Sequence, residues 1–264
     1  MRGVPELADR RAVADGARLA IDRARSLAPG VGAGDSREWP AETIFLASGK
    51  HDVRGAARPR DDADPALGLR LRLRAGDRLR ALLAGRIELH LFRGGYAGIV
   101  LQEDGTANVC LALRKSLLAE AGGDPRALLS ELAAQHPHFG ERIARAPAGL
   151  PIDTVGAVPY GWVARAAEEG IWRLGDQAAV IPSLAGEGMA IALASGAAAA
   201  RAGRAGASAA RFQAAFAARA KRPVRIAGLI WRMAERESGG RLLRTLAGSA
   251  PALARAAMAL TRIE

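Results

Sequence analysis

One stretch of the chain, residues 171–196, constrains its fold more than any other and reads IWRLGDQAAVIPSLAGEGMAIALASG. It opens on a short apolar run of the length of a buried strand, which Gly175 ends. After a turn at Pro182, the flexible backbone of Gly186 and Gly188 leads into an alanine-rich segment of helical character. A strand, a turn and a helix in this order predict a mixed α/β architecture.

The same stretch has the chemistry of a ligand site. Asp176 would stand at the carboxyl end of the strand, where open α/β sheets bind ligands, and its carboxylate can accept hydrogen bonds from ribose or ribityl hydroxyls. A helix that begins near Gly188 would present free N–H groups, which favour an anion by about 0.3 to 1 kcal/mol. Taken singly, a Gly-Asp turn and a glycine before a helix are more often structural. Together they predict a site for a large, electron-accepting cofactor.

The full order, GDQAAVIPSLAGEGMAIALASG, resembles the second flavin-binding motif of the FAD-dependent oxidoreductases of the geranylgeranyl reductase and aromatic hydroxylase superfamily. The resemblance implies that Asp176 binds the ribityl chain of FAD, and that the segment after the turn lines the isoalloxazine ring and the phosphates. Gln177 departs from the small residue that the family usually has there. The candidate cofactor-binding residues are Gly175, Asp176, Pro182, Gly186, Glu187, Gly188 and Met189.

Two further blocks resemble the same family. Phe92 to Arg114 reads as a β-hairpin, similar to the Gly-Tyr strand pair of the family's substrate domain. Its Tyr96 either touches the substrate or packs on the sheet, and Gly94, Gly95 and Gly98 would let the strands approach the flavin. Thr43 to Gly55 is a strand followed by Ser-Gly, similar to the family's Ala-Thr-Gly strand, and leaves open whether His51 faces the cofactor.

The first motif of the family, a strand followed by GxGxxG and a helix, has no counterpart. The glycines of residues 30–34 have the wrong spacing and are interpreted as a loop, and Glu6 to Leu27 shows weak helical periodicity with little strand character. The resemblance therefore covers about Thr43 to the C-terminal helices. We expect a shortened chain that supplies the flavin-ring half of an FAD site without its dinucleotide half, and a correspondingly weaker hold on FAD.

These observations predict the C-terminal portion of a two-domain FAD-binding fold of the α/β (α+β) class. The expected division is an N-terminal segment without assignment (1–42), an incomplete FAD-binding domain (43–60 and 165–205), a substrate domain with a β-sheet (61–164) and a C-terminal helical region (206–264). Ser208 to Arg222 and Pro223 to Glu237 read as two helices separated at the proline. They would pack over the substrate sheet or, alternatively, lie on a membrane that holds a lipid-like substrate.

Composition excludes several function classes. The net charge of +11 at pH 7 comes almost entirely from scattered Arg, and no nucleic-acid-binding motif accompanies it, so we expect no nucleic-acid partner. Cys110, the single cysteine, excludes an internal disulfide, fits a reducing, cytoplasmic location and is expected to be a small buried residue. His136 and His138 are expected in a surface turn between helices rather than in a metal site. The sequence has no run of 18 apolar residues, so we expect no transmembrane span.

The leading functional hypothesis is an FAD-dependent oxidoreductase of the reductase type. Hydride would pass from NAD(P)H or another donor through the flavin to an apolar or small organic substrate, with no catalytic side chain expected. A flavin-dependent monooxygenase or hydroxylase is the enzymatic alternative; the Trp-x-Trp-x-Ile motif usual in the halogenase branch is absent. The other alternative is a truncated, non-catalytic homologue that does not hold FAD.

Overall fold

The computed structural model of the protein describes residues 11–15, 18–22, 37–40, 43–53, 56–59 and 62–263. Its first elements are three antiparallel strands, β1 (Arg11–Asp15), β2 (Arg18–Asp22) and β3 (Arg37–Pro40), in that order. The weak helical periodicity of Glu6 to Leu27 therefore does not correspond to a helix in the described residues, which form strands. Within β2 the apolar Leu19 and Ile21 alternate, and this period of two favours a strand. The loop predicted at residues 30–34 lies outside the described residues.

Two short strands far apart in the sequence form a parallel pair. They are β4 (Ile44–Leu46) and β10 (Ile171–Arg173), with Phe45 opposite Trp172. Both strands were predicted from their apolar runs and are confirmed. Since parallel strands end at the same edge, the pairing brings the segments after β4 and β10 together.

The largest sheet is antiparallel and lies between these two strands in the sequence. It contains β5 (Ala66–Arg74), β6 (Ile87–Phe92), β7 (Gly95–Leu101), β8 (Thr106–Arg114) and β9 (Asp153–Val158), in the spatial order β6-β7-β8-β5-β9. The predicted hairpin is confirmed as β7 and β8, with a turn through Gly105 at φ +77°. Gly105 tolerates this left-handed backbone because it has no Cβ.

Side chains alternate between the two faces of this sheet. Helices α1 (Asp77–Leu83), α2 (Lys115–Glu120), α3 (Pro125–Gln135) and α4 (Pro137–Ile143) contribute to the apolar core on one face. That core includes Leu69, Leu71, Ile99, Val109, Leu111, Leu128 and Phe139. The strand registers place Tyr96, Gly98, Asn108, Cys110 and Ala112 on the opposite face, which we call the second face.

The C-terminal part consists of α5 (Gly188–Arg204), α6 (Ala209–Ala234), α7 (Glu237–Ser249) and α8 (Pro251–Ala259). The predicted break at Pro223 is wrong, because α6 continues through it. A proline inside a helix costs about 3 kcal/mol. The buried stripe of α6 offsets this cost, since each large apolar side chain contributes about 1.5 to 3 kcal/mol; the stripe includes Phe212, Phe216, Val224 and Trp231.

The observed architecture confirms the predicted mixed α/β class. Among the described residues, no helix combines the length and the apolar character that crossing a membrane requires.

Candidate functional site

The turn after β10 is seated on helix α5. Residues Gly175–Gln177 form one turn of 3₁₀ helix, and Gly175 has the left-handed φ of +56°. Its N–H donates to Ser195 Oγ at 2.8 Å, and a Cβ at Gly175 would lie 3.5 Å from Ala192 Cβ. Ala192 is one helical turn, about 6 Å, from the first residue of α5, Gly188. The structure therefore brings the Gly-Asp turn close to the N-terminus of α5.

Asp176 lies at the edge of this arrangement with its carboxylate partly accessible. Its Oδ2 is 3.5 Å from Lys50 Nζ, and the side chains of Asp176 and Lys50 are 17% and 33% exposed. Lys50 belongs to the segment after β4, so the ion pair joins the carboxyl ends of the two parallel strands. Asp176 thus stands where the sequence predicts, with a cation beside it that the sequence did not predict.

Two buried polar side chains hold this corner of the molecule and were missed by sequence reasoning. Arg58 donates to Asp52 Oδ1 (2.7 Å), to the Asp176 carbonyl (3.0 Å) and to the Lys50 carbonyl (2.6 Å). Gln177 Nε2 donates to the carbonyls of Gly49 (3.1 Å) and His51 (2.9 Å). The departure of Gln177 from the family motif was the one available signal; Arg58, in a stretch rich in arginine and aspartate, gave none.

His51 lies in the segment that these side chains fix. It contributes its backbone carbonyl, which accepts from Ser48 Oγ at 2.7 Å and from Gln177, while the residue as a whole is exposed. The hypothesis that its imidazole faces the cofactor therefore stays a prediction.

The approach to α5 is open at the backbone. Buried Pro182 leads into the 3₁₀ turn Ser183–Ala185, and Gly186 follows at φ +72°. Glu187 is the N-cap residue of α5 but makes no side-chain capping bond. A Cβ at Gly186 or Gly188 would meet nothing within 4 Å.

The N-terminus of this long helix can therefore present N–H groups to an anion without a competing side-chain cap. Next to it, Met189 is 80% exposed. The open glycine backbone, the uncapped helix and the nearby Asp176 carboxylate fit a flavin with its diphosphate.

The same segment contacts the second face of the antiparallel sheet. Ser183 Oγ and Tyr160 Oη lie 2.7 Å apart, and Leu184 packs on a cluster that includes Tyr96 and Trp231. Tyr96 is 5% exposed, and its ring meets Trp231 edge to face at 5.8 Å. Burial raises the pKa of Tyr96 far above its ordinary value of 10, so its phenol stays neutral. Of the two predicted roles for Tyr96, the structure shows packing on the sheet.

Next to this aromatic cluster, the second face carries a short polar row. Arg70 Nε donates to Asn108 Oδ1 at 2.8 Å, and Asn108 Nδ2 lies 3.2 Å from Cys110 Sγ. Cys110 is half-buried rather than fully buried as predicted, because its side chain is on this open face and not in the helix-covered core. At the sheet edge, Ile87 and Leu89 are 73% and 50% exposed.

The three glycines predicted to admit the flavin differ in their surroundings. A Cβ at Gly94 would lie 2.7 Å from Leu117 Cδ1, and one at Gly95 would lie 2.5 Å from the Ala112 carbonyl oxygen. Gly95 is therefore required by backbone packing, and Gly94 by its left-handed φ of +80°. Gly98, where a Cβ would be 3.6 Å from Leu89 and Tyr96, is the one of the three with ordinary room on the second face.

No group of three or more His, Cys, Asp or Glu side chains in the described part of the chain could hold a metal ion. His136 lies between α3 and α4, as predicted, whereas His138 is already in the first turn of α4.

Solved structures of flavoproteins share this fold. The flavin-dependent brominase Bmp2 matches with a TM-score of 0.64 and 14% identity, over 95% of this chain and 63% of that one. HpxO from Klebsiella pneumoniae, complexed with FAD and uric acid, matches with 0.57 and 14%, over 86% and 59%. PqsL from Pseudomonas aeruginosa, a probable FAD-dependent monooxygenase, matches with 0.53 and 17%, over 87% and 65%.

These likenesses establish the fold class. The chain has the fold of the matched parts of these three flavoproteins, and spans less than two thirds of their length. The prediction of a partial FAD-binding fold is thereby confirmed. No protein-family model matches the chain, and no curated protein sequence does.

Proposed function

We propose that the chain is the flavin-ring part of an FAD-dependent oxidoreductase that acts on a small organic substrate. One observation carries the proposal: the Gly175–Gln177 turn is seated on α5 near its uncapped N-terminus, and the intervening segment packs against the second face. A cofactor site and a substrate surface are thus adjacent. The proposed division is a cofactor part (43–60 and 165–205), a substrate part (61–164) and a helical region (206–264).

In this proposal the cofactor-binding residues are those named from the motif. The Asp176 carboxylate accepts hydrogen bonds from ribityl hydroxyls, and its ion pair with Lys50 at 3.5 Å orients it. The N-terminus of α5, at Gly188 and Met189, stabilises negative charge on the ring or the diphosphate. Pro182, Gly186 and Glu187 shape the approach. FAD, when bound, supplies the redox chemistry, and the protein supplies orientation and electrostatics.

The substrate would lie on the second face. The polar row of Arg70 and Asn108 offers donors, Gly98 leaves room, and the exposed Ile87 and Leu89 favour an apolar body, including a lipid-like one. The buried, neutral phenol of Tyr96 borders this surface, where it packs against Trp231. The leading form of the proposal is a reductase of the geranylgeranyl reductase branch, cytoplasmic, with NAD(P)H as electron donor and at most peripheral contact with a membrane.

A flavin-dependent monooxygenase is the second candidate, and what the similar structures are named for supports it. The similar structures include a probable FAD-dependent monooxygenase and a brominase. Oxygen distinguishes the two candidates. A reductase converts its substrate anaerobically with NAD(P)H, whereas a monooxygenase gives product only when O₂ is present.

A non-catalytic homologue is the third reading. It is supported by apolar side chains left exposed around the parallel strand pair and α5, namely Phe45 at 57%, Met189 at 80% and Leu193 at 76%. The proposed flavoprotein and this homologue make opposite predictions for FAD binding.

The first test is the visible absorption spectrum of the purified chain after incubation with excess FAD and gel filtration. We expect bound flavin bands. We further expect Asp176→Ala to weaken FAD binding by about 1 to 3 kcal/mol, because the ribityl hydroxyls lose a buried acceptor. Asp104→Ala, which removes an exposed carboxylate in the β7–β8 turn, is the matched control and leaves the affinity unchanged.

A chain that is folded by circular dichroism yet retains no flavin would support the non-catalytic homologue against the enzyme. Equal affinities of the Asp176→Ala variant and the unaltered chain would show that the cofactor lies elsewhere.

A further inference from the structure

A cavity of about 950 Å³ lies at the free edge of the antiparallel sheet. It is open to solvent on one side and is bordered by the edge strand β6 and by α3, α4 and α7. Apart from Leu89 and Leu91 of the edge strand, it shares no lining residue with the second face or with the Gly175–Met189 segment. Its volume is within the range of about 300 to 1,000 Å³ that small-molecule sites occupy. The proposed flavin chemistry does not use it.

The inner wall of this cavity is aromatic and aliphatic. Phe92, Leu128, Leu132 and Phe139 are each at most 6% exposed. The rings of Phe92 and His136 lie 5.8 Å apart, and those of Phe139 and His90 lie 5.7 Å apart. Such a wall can accept a flat, apolar ring, and charged side chains line the rest of the cavity.

The charges of Arg142 and Glu88 on the cavity wall neutralise each other. Arg142 donates to both oxygens of Glu88 at 2.9 Å, and Glu88 Oε2 lies 3.2 Å from His90 Nε2. This bidentate pair leaves little net charge at β6. Exposed pairs also join Arg241 to Glu237 and Arg93 to Glu120.

Arg236 and Arg244 are different, because neither forms an ion pair in the described part of the chain. Helix α7 approaches β6 at Gly240, where a Cβ would lie 3.7 Å from Leu91 Cβ and 3.8 Å from Arg244 Nη1. The Arg244 guanidinium therefore lies over this close contact, beside the apolar wall.

Arg244 is close enough to His136 to affect the pKa of its imidazole. Burial, with a smaller contribution from Arg244, lowers the pKa of His136 below 6.5. The lowered pKa favours the neutral imidazole, which adds a polar group next to Phe92. Glu131 is the lining carboxylate without an ion pair in the described chain, and it is exposed on α3.

We propose that this cavity is a binding site for an aromatic carboxylate, distinct from the proposed flavin site. The ring packs among Phe92, His136 and Phe139, and the carboxylate pairs with the guanidinium of Arg244, assisted by Arg236 at the rim. Arginine suits this role because its planar fork binds a carboxylate through two hydrogen bonds.

Isothermal titration calorimetry of the full chain with 2-naphthoate tests the proposal. The neutral analogue 2-naphthamide and inorganic phosphate separate the contributions of the charge and of the ring. We expect 2-naphthoate to bind at least tenfold more tightly than 2-naphthamide, and phosphate not to bind measurably. Arg244→Gln is expected to weaken 2-naphthoate at least tenfold while leaving 2-naphthamide unchanged.

Arg219→Gln, an exposed arginine of α6 that does not line the cavity, is the matched control and keeps full affinity. Arg236→Gln gives a smaller loss and guards against a misfolded Arg244 variant, with folding checked by circular dichroism. Equal binding of the acid and the amide, phosphate binding that depends on Arg244, or unchanged 2-naphthoate affinity in a folded Arg244→Gln variant would each overturn the proposal.

Discussion

At the scale of single residues, the candidate flavin corner depends on charges that neutralise one another. Asp176 is the residue that the motif predicts, and its carboxylate forms an ion pair with Lys50 from the segment after β4. Gln177, which departs from the family pattern, uses its amide to bind two backbone carbonyls of the segment after β4. A small residue there could not make these bonds. The departure therefore has a structural reason, and it leaves the position of Asp176 intact.

Histidine burial gives a pH dependence that belongs to this scale. Burial lowers the pKa of His90 below its ordinary value of 6.5, and this effect outweighs the opposing attraction of Glu88. The stability that a neutral His90 contributes is fully present above the unfolded pKa and is lost as the pH falls through the folded pKa. We expect the free energy of unfolding in urea to decrease from about pH 7 to about pH 5.

His90→Gln should flatten this decrease, whereas His51→Gln, at an exposed position, should not. The pKa of Glu88 is also lowered, by its bonds to Arg142 and His90 against the cost of burial, so a further loss follows below pH 4.5. An unchanged slope in the His90→Gln variant would contradict this assignment.

At the scale of elements, strand β7 shows that two nearby glycines can differ in whether the structure requires a glycine at their position. Gly95 pairs with Leu113 of β8, and the backbone of Ala112 and Leu113 lies so close that it leaves no room for a side chain. Gly98 lies three residues along the same strand and has only ordinary contacts. From the sequence alone, both glycines were predicted to let the strand approach the flavin.

We therefore expect Gly95→Ala to lower the free energy of unfolding by about 1 to 3 kcal/mol, because backbone atoms 2.5 and 2.8 Å from the new Cβ must move. Gly98→Ala should change it by less than about 0.5 kcal/mol. Urea unfolding of the two variants measures the difference. Equal stabilities would show that the close contact in β7 relaxes without cost.

At the scale of the whole molecule, the two parallel strands are held together by side chains as much as by their short ladder. Arg58 is 2% exposed and bridges Asp52, the Lys50 carbonyl and the Asp176 carbonyl. Its last bond spans 118 residues of sequence. The cofactor corner is encoded by two segments that lie before and after the antiparallel sheet in the sequence, so such long-range bonds join these two segments.

Removing this bridge should therefore destabilise the fold. We expect Arg58→Ala to lower the free energy of unfolding by about 3 kcal/mol, since three acceptors in a buried site lose their donor. Arg72→Ala, at an exposed position of β5, serves as the control and should cost less than about 0.5 kcal/mol. A cost below about 1 kcal/mol for Arg58→Ala would mean that water replaces the guanidinium.

The sequence by itself determined the local elements, and from them it predicted the candidate motif. Apolar runs, the β7–β8 turn and the glycines before α5 act through neighbouring residues and backbone freedom, so they could be read in order along the chain. Only the tertiary structure decided that α6 continues through Pro223, that Lys50 and Arg58 reach Asp176, and that α7 closes a cavity against β6. Each of these three features depends on burial and charge contributed by residues distant in sequence. A local sequence pattern cannot predict such partners.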